Sequence, residues 1–263
     1  MLPTSWYPAS AKNLVRIGPE KDGGYVVPKS VIRATEVLFG LGVSDDWKFE
    51  EEFKKLSNCN VICYDHTVTR RYWQDRLVGD CVEFARNCIA FVKRKPLSGN
   101  KLKDMLRFSD YKKFFDGRTA THYQLKIGYD EPGSVSIDSI VEPFKGKNVF
   151  LKIDIEGWEY RVMHQLRHHS NYVIGFVIEF HDVDLHRNRI SHFIEDLQKF
   201  RVVHIHANNY GGVDAQGDPV VLEITFLRED LVEPDSNKFT SYPVAGLDFP
   251  NDPSKRDLAL RFE

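Results

Sequence analysis

The feature that most constrains this chain is a recurrence of short apolar runs that are continuous rather than alternating. EVLFGLG (36–42), NVICYD (60–65), HYQLKIG (122–128), NVFLKID (148–154), YVIGFVIEF (172–180), FRVVHIHA (200–207) and VVLEITFL (220–227) are each rich in β-branched and aromatic residues and bounded by Gly, Asp or Asn. Each is too short for a helix. An unbroken apolar run of strand length is what a strand covered on both faces requires, and sheets covered on both faces are mostly parallel. Between these runs, 47–56, 70–91, 159–167 and 190–200 carry helical periodicity. Strands alternating with helices predict an α/β fold, Rossmann-like and doubly wound, on a mostly parallel sheet.

The remaining composition narrows the class. A chain of 263 residues with 42% hydrophobic residues, 28% charged residues and a net charge of −2 reads as a globular protein with no electrostatic footprint for nucleic acid. The longest apolar stretch, around 172–178, is of strand length, so neither a membrane span nor a secretory leader is expected. Cys59, Cys63, Cys81 and Cys88 all fall in the first third, without a second pair at zinc spacing. Reduced thiols and a cytoplasmic setting are the expectation. We read one domain over 1–263, with a basic, aromatic insertion at about 93–120 and a polar, Pro-rich surface tail from about 229.

Ligand chemistry in such a sheet is expected at the carboxyl ends of the strands. The first run ends in Gly40 and Gly42, spaced G-x-G, with Asp45 where a dinucleotide fingerprint would place its third glycine. That argues against a pyrophosphate site and leaves a nucleoside site. The second run ends in Asp65, which suits the ribose hydroxyls of an adenosine, although an N-cap Asp would look the same. Lys152 and Asp154 lie one residue apart at the end of the fourth run, hence on one sheet face, and Glu156 continues that period into a turn at Gly157. Charges there have no core role and are costly unless paired or catalytic. The fifth run leads into Glu179 and His181, followed by Asp182, Asp184 and His186; the sixth carries His204 and His206. Histidine is the side chain whose ordinary pKa suits a base near neutral pH.

LKIDIEGWEY (151–160) resembles the K-I-D-x-E-G-x-E signature of FkbM-type methyltransferases. RIGPEKDGGYVVP (16–28), the Gly40/Gly42 turn, Asp65 and VSIDSI (135–140) are similar to the family as well, so the resemblance runs from about Arg16 to Phe180. Trp158 departs from it, standing where a small residue is usual. The resemblance implies a Rossmann-like fold, S-adenosylmethionine as cofactor, and a small-molecule or glycan acceptor methylated on a hydroxyl. On the placement of these residues, cofactor contacts are expected at Gly40, Gly42 and Asp65 and catalytic roles among His181, Asp154, Lys152 and Glu156, with His181 as base. Related enzymes that methylate sugar hydroxyls use a divalent cation, Mg²⁺ or Mn²⁺, for which Asp154, Glu179, His181 and His206 are the candidate ligands. Two other readings of the same sheet are a nicotinamide-dependent oxidoreductase and a non-catalytic nucleoside-binding module.

Overall fold

A computed structural model of the chain describes residues 1–76, 78–79, 82, 107–235 and 239–263. A hairpin of β1 (Leu14–Ile17) and β2 (Tyr25–Pro28) leads through α1 (Lys29–Ala34) into β3 (Val37–Leu41), α2 (Lys48–Ser57) and β4 (Asn60–Tyr64). Residues 70–76 are helical. There follow α3 (Arg107–Phe114), β5 (Ala120–Tyr123), the short pair β6 (Lys126–Ile127) and β7 (Ser134–Val135), and α4 (Ile137–Val141). The second half runs β8 (Val149–Ile153), α5 (Glu159–Val162), β9 (Val173–Phe180), α6 (Val183–Asp196), β10 (Phe200–Ala207) and β11 (Leu222–Arg228).

The central sheet has seven strands in the order β10-β11-β9-β8-β3-β4-β5. β5, β4, β3, β8 and β9 are parallel, and β11 alone runs against its neighbours β9 and β10. From β3 the chain winds outward through β4 to β5, then returns to β8 on the other side of β3. The sheet therefore switches direction between β3 and β8, where their carboxyl ends open a crevice.

The continuous apolar runs are explained by two cores, one on each face. Phe39, Leu41, Leu151, Ile153, Phe176 and Ile178 fill one, whereas Leu38, Val61, Phe150 and Val177 fill the other. Each fully buried side chain of this kind contributes about 1.5–3 kcal/mol.

Three boundaries differ from the sequence reading. The helix expected at 190–200 begins at Val183, directly after β9, so Asp184 and His186 belong to α6 rather than to a strand end. Asp182, in the left-handed region at φ 50°, makes that sharp change of direction. The run at 122–128 is split between β5 and β6, and the helix expected over 159–167 passes into a 3-10 helix at Met163–His169. Residues 93–106 of the expected insertion, with Cys81 and Cys88, lie outside the described residues. The C-terminal tail buries Tyr242, Val244, Asp248 and Asn251.

Candidate active site

The crevice at the switch point is a cavity of about 770 Å³, lined by the turn after β3 (Gly42–Asp46), the end of β4, the turn after β8, and Lys21–Gly23 ahead of β2. Trp158, Tyr210 and Arg107 also border it. Arg107, at the start of α3, donates from Nε to the Asp45 carbonyl at 2.6 Å.

The two glycines of the β3 turn have different reasons to be glycine. Gly42 adopts φ +76°, and a Cβ there would lie 1.6 Å from the Asp154 carbonyl oxygen. Only glycine lets the turns after β3 and β8 pass so closely. Gly40 lies within β3 and does not line the cavity; a Cβ would meet Glu50 Oε1 at 2.7 Å and Cys63 Sγ at 2.9 Å. Its small size makes room for a side chain of α2 rather than for a ligand.

Asp65 lines the cavity, and both its oxygens are engaged. Oδ2 accepts from the Val43 and Ser44 amides at 3.0 and 2.6 Å, and Oδ1 from the Thr67 amide and hydroxyl at 2.7 and 2.6 Å. A carboxylate offers about four lone-pair sites. Asp65 therefore ties the β3 turn to the end of β4, and a ribose contact would exchange one of these bonds.

Lys152 and Asp154 share a face as their spacing predicts. The buried Lys152 ammonium donates to the Gly42 carbonyl at 2.6 Å and to Asp154 Oδ2 at 3.0 Å. Burial opposes its charge, but Asp154 and Glu50 outweigh burial and hold it protonated above the usual lysine range. The Tyr25 hydroxyl, 3.3 Å from Asp154 Oδ2, donates at 2.9 Å to Glu179 Oε2. Asn208 Nδ2 donates to Glu179 Oε1 at 2.8 Å. Burial, then Asp154 and Glu223, push the Glu179 carboxyl well above the usual range.

His181 stands at the rim of this acidic group. Its Nε2 lies 3.5 Å from Glu156 and 3.9 Å from Glu179. Nδ1 is 3.3 Å from Glu159 Oε1 without the alignment of a hydrogen bond. Glu159 Oε1 instead accepts the Ile155 amide at 2.9 Å, which shapes the turn after β8. Burial works against the imidazolium, but Glu159, then Glu179 and Asp154, raise its pKa to about 9.

Asp154, Glu156 and His181 bring one ligand atom each to within 4.8 Å of one another, and so do Asp22, Glu179 and Glu223. The expected cation set is corrected in two members: Glu179 belongs to the second group, its place beside Asp154 and His181 being taken by Glu156, and His206 drops out. His206 is buried between Glu223 at 3.2 Å and Asp257 of the tail at 3.1 Å, and it joins neither group. Burial opposes its charge, yet Asp257 and Glu223 raise its pKa to about 10, making it a structural imidazolium that anchors the tail.

Sequence reasoning missed Glu50, Asp22 and Tyr25. Asp22 and Tyr25 lie inside RIGPEKDGGYVVP, which the family resemblance had already marked, but nothing in that segment shows that the hairpin folds over the ends of β8 and β9. Glu50, in the first turn of α2, reads as a solvated acid but is 1% exposed; burial, eased by Lys152, pushes its pKa up to about 7.

Residues 91–210 match the family model described as the methyltransferase FkbM domain. No curated protein matches the chain. Among solved structures it is similar to precorrin-6y C5,15-methyltransferase from Geobacter metallireducens, at 13% identity and a TM-score of 0.37 over 76% of this chain and 86% of that one. It is also similar to an rRNA methylase from Streptococcus thermophilus, at 7% identity and a TM-score of 0.41 over 76% of this chain and 90% of that one.

Proposed function

We propose that this chain is a methyltransferase of the FkbM type that uses S-adenosylmethionine and methylates a hydroxyl group of a sugar or glycan, a reading supported by the family match over 91–210. The observation that carries this reading is the position of the Lys152–Glu156 signature on the wall of the cavity at the β3/β8 switch point. Carboxylates suit hydroxyl recognition, and Asp22, Asp154 and Glu156 line the cavity alongside the rings of Trp158 and Tyr210. When bound, the cofactor supplies a sulfonium-activated methyl group, so no covalent enzyme intermediate is needed.

The residues present fit such a ligand. The cavity lies over the β3 turn, Asp65 is within its wall, and the buried Glu50 has carboxylate oxygens without hydrogen-bond partners among the described residues. His181, in its neutral form, takes the proton of the acceptor hydroxyl. Lys152 fixes the Asp154 carboxylate, and Asp154 and Glu156 orient the acceptor or the imidazole. Trp158, held between Lys126 and Arg161, forms part of the cavity wall. Arg107, from the described part of the 93–120 stretch, lines the same cavity and is held against Asp45 and Asp46 of the β3 turn.

A divalent cation is the second reading of the Asp154, Glu156 and His181 group, whose oxygen and nitrogen donors suit Mg²⁺ or Mn²⁺. Among the described residues no helix is long and apolar enough to cross a membrane.

Calorimetric titration with S-adenosylhomocysteine tests the cofactor site. Wild-type protein is expected to bind. Asp65→Ala is expected to bind at least about tenfold more weakly, since it removes a charge-assisted hydrogen-bond acceptor and frees the Val43–Ser44 turn. Unchanged affinity in Asp65→Ala removes that residue from the cofactor site, and methylated product from a panel of glycans, detected by mass spectrometry, tests the acceptor class.

A further inference from the structure

Glu50 presents a problem that the fold alone does not solve. It is carried by the amphipathic helix α2, whose Phe49 and Phe53 are buried on either side of it in the sequence. Among the described residues neither of its carboxylate oxygens has a hydrogen-bond partner, although the residue is 1% exposed. A buried, unpartnered carboxylate is destabilising, and its partner is normally found in the protein or in a ligand. The sequence makes room for it, because Gly40 leaves the space in which a Cβ would stand 2.7 Å from Oε1. The same side chain lines the cavity beside Gly42, Lys152 and Asp154.

The charges around it are unbalanced. Lys152 already donates to the Gly42 carbonyl and to Asp154, so a single ammonium serves two carboxylates, whereas Asp46 nearby is matched by Arg107 at 3.6 Å and Lys48 at 4.0 Å. This end of the cavity calls for a cation that is also a hydrogen-bond donor.

We infer that Glu50 receives the α-ammonium of the cofactor's amino-acid tail, and so selects a nucleoside that carries an amino acid. The inference rests on the proposed S-adenosylmethionine site. Of the two cationic groups of that ligand, the sulfonium has no N–H to offer, whereas an ammonium carries three donors. The sulfonium must also reach an acceptor, on the open side where the Glu156 side chain is 87% exposed. The tail is the part of the ligand that can be sealed against Glu50.

Two ligands separate this inference from the reading beneath it. S-adenosylhomocysteine carries the amino-acid tail, and 5′-methylthioadenosine has the nucleoside and thioether without it. Both are titrated calorimetrically into wild-type protein and Glu50→Gln, a nearly isosteric change. The expected result is a loss of roughly tenfold or more for S-adenosylhomocysteine with methylthioadenosine affinity held within about twofold, the loss expected for one charge-assisted hydrogen bond. Retained affinity for both ligands overturns the inference, and so does an equal loss for both, which would report a damaged cavity. If wild-type protein binds neither ligand, the cofactor site itself is wrong, a result distinct from either.

Discussion

Turnover is expected to climb with pH and to level off near pH 9, the value to which its surroundings raise the His181 imidazole. Only the neutral ring accepts a proton from a hydroxyl. With a pKa of about 9, about one molecule in a hundred carries that form at pH 7, so the rate should rise about tenfold per pH unit below the plateau. The cause is local: against the opposing effect of burial, Glu159 lies 3.3 Å from Nδ1, Glu179 lies 3.9 Å from Nε2, and Asp154 adds to the field. His181→Ala is expected to lower turnover by about 10²–10⁴-fold, the usual loss for a general base, and to abolish the pH dependence. Cofactor affinity should be nearly unchanged. A wild-type profile flat from pH 6 to 9, or near-normal turnover in His181→Ala with a verified acceptor, removes His181 from the chemistry. A cation held by Asp154, Glu156 and His181 would displace the ring proton and flatten the profile as well. That case is recognised by loss of activity to a chelator and its return with Mg²⁺ or Mn²⁺.

The sheet was legible because its signal is one-dimensional. A strand covered on both faces must be apolar throughout, and β3, β4, β8, β9 and β10 lie within runs identified by that pattern, with β11 passing the end of its run by one residue, Arg228. Lys152 and Asp154 stood out for the same reason, since charge inside such a run contradicts its burial. What the pattern could not show is which chain segments cover the strand ends. His206 looked like a neighbour of His181, but its contact with Asp257 comes from 51 residues away and turns it into a structural ion pair. Asp65 was found by position, yet its four hydrogen bonds within the protein depend on how the β3 turn closes. The helix α6 starts earlier than the periodicity at 190–200 suggests, because Asp182 turns the chain into a helix directly after β9. Glu50 was hidden most completely, because KFEEEFKKL has the charge distribution of a solvated amphipathic helix.

Replacing Glu50 by Gln is expected to stabilise the protein at pH 8 and to change little at pH 5. The folded state raises the carboxyl from an ordinary 4.5 to about 7, chiefly by burial, so folding favours its protonated form. The stability associated with that proton is fully present below about 4.5 and is lost as pH rises through about 7. By linkage the gap corresponds to roughly 3 kcal/mol, undiscounted because the group is fully buried. Glutamine has the same shape and no charge to desolvate. Urea unfolding of both proteins at pH 5 and pH 8 should therefore show an advantage for Glu50→Gln at the higher pH, up to a few kcal/mol. An equal difference at both pH values, or a destabilised variant at pH 8, would mean that Glu50 has a partner in the free protein. Saturating S-adenosylhomocysteine supplies a further check. A ligand stabilises the folded state by an amount set by its affinity. If Glu50 holds the ligand's ammonium, the wild type should gain more than the variant and the advantage at pH 8 should shrink. An unliganded protein made more stable by a change that weakens its ligand is the behaviour expected of a charge buried for binding rather than for folding.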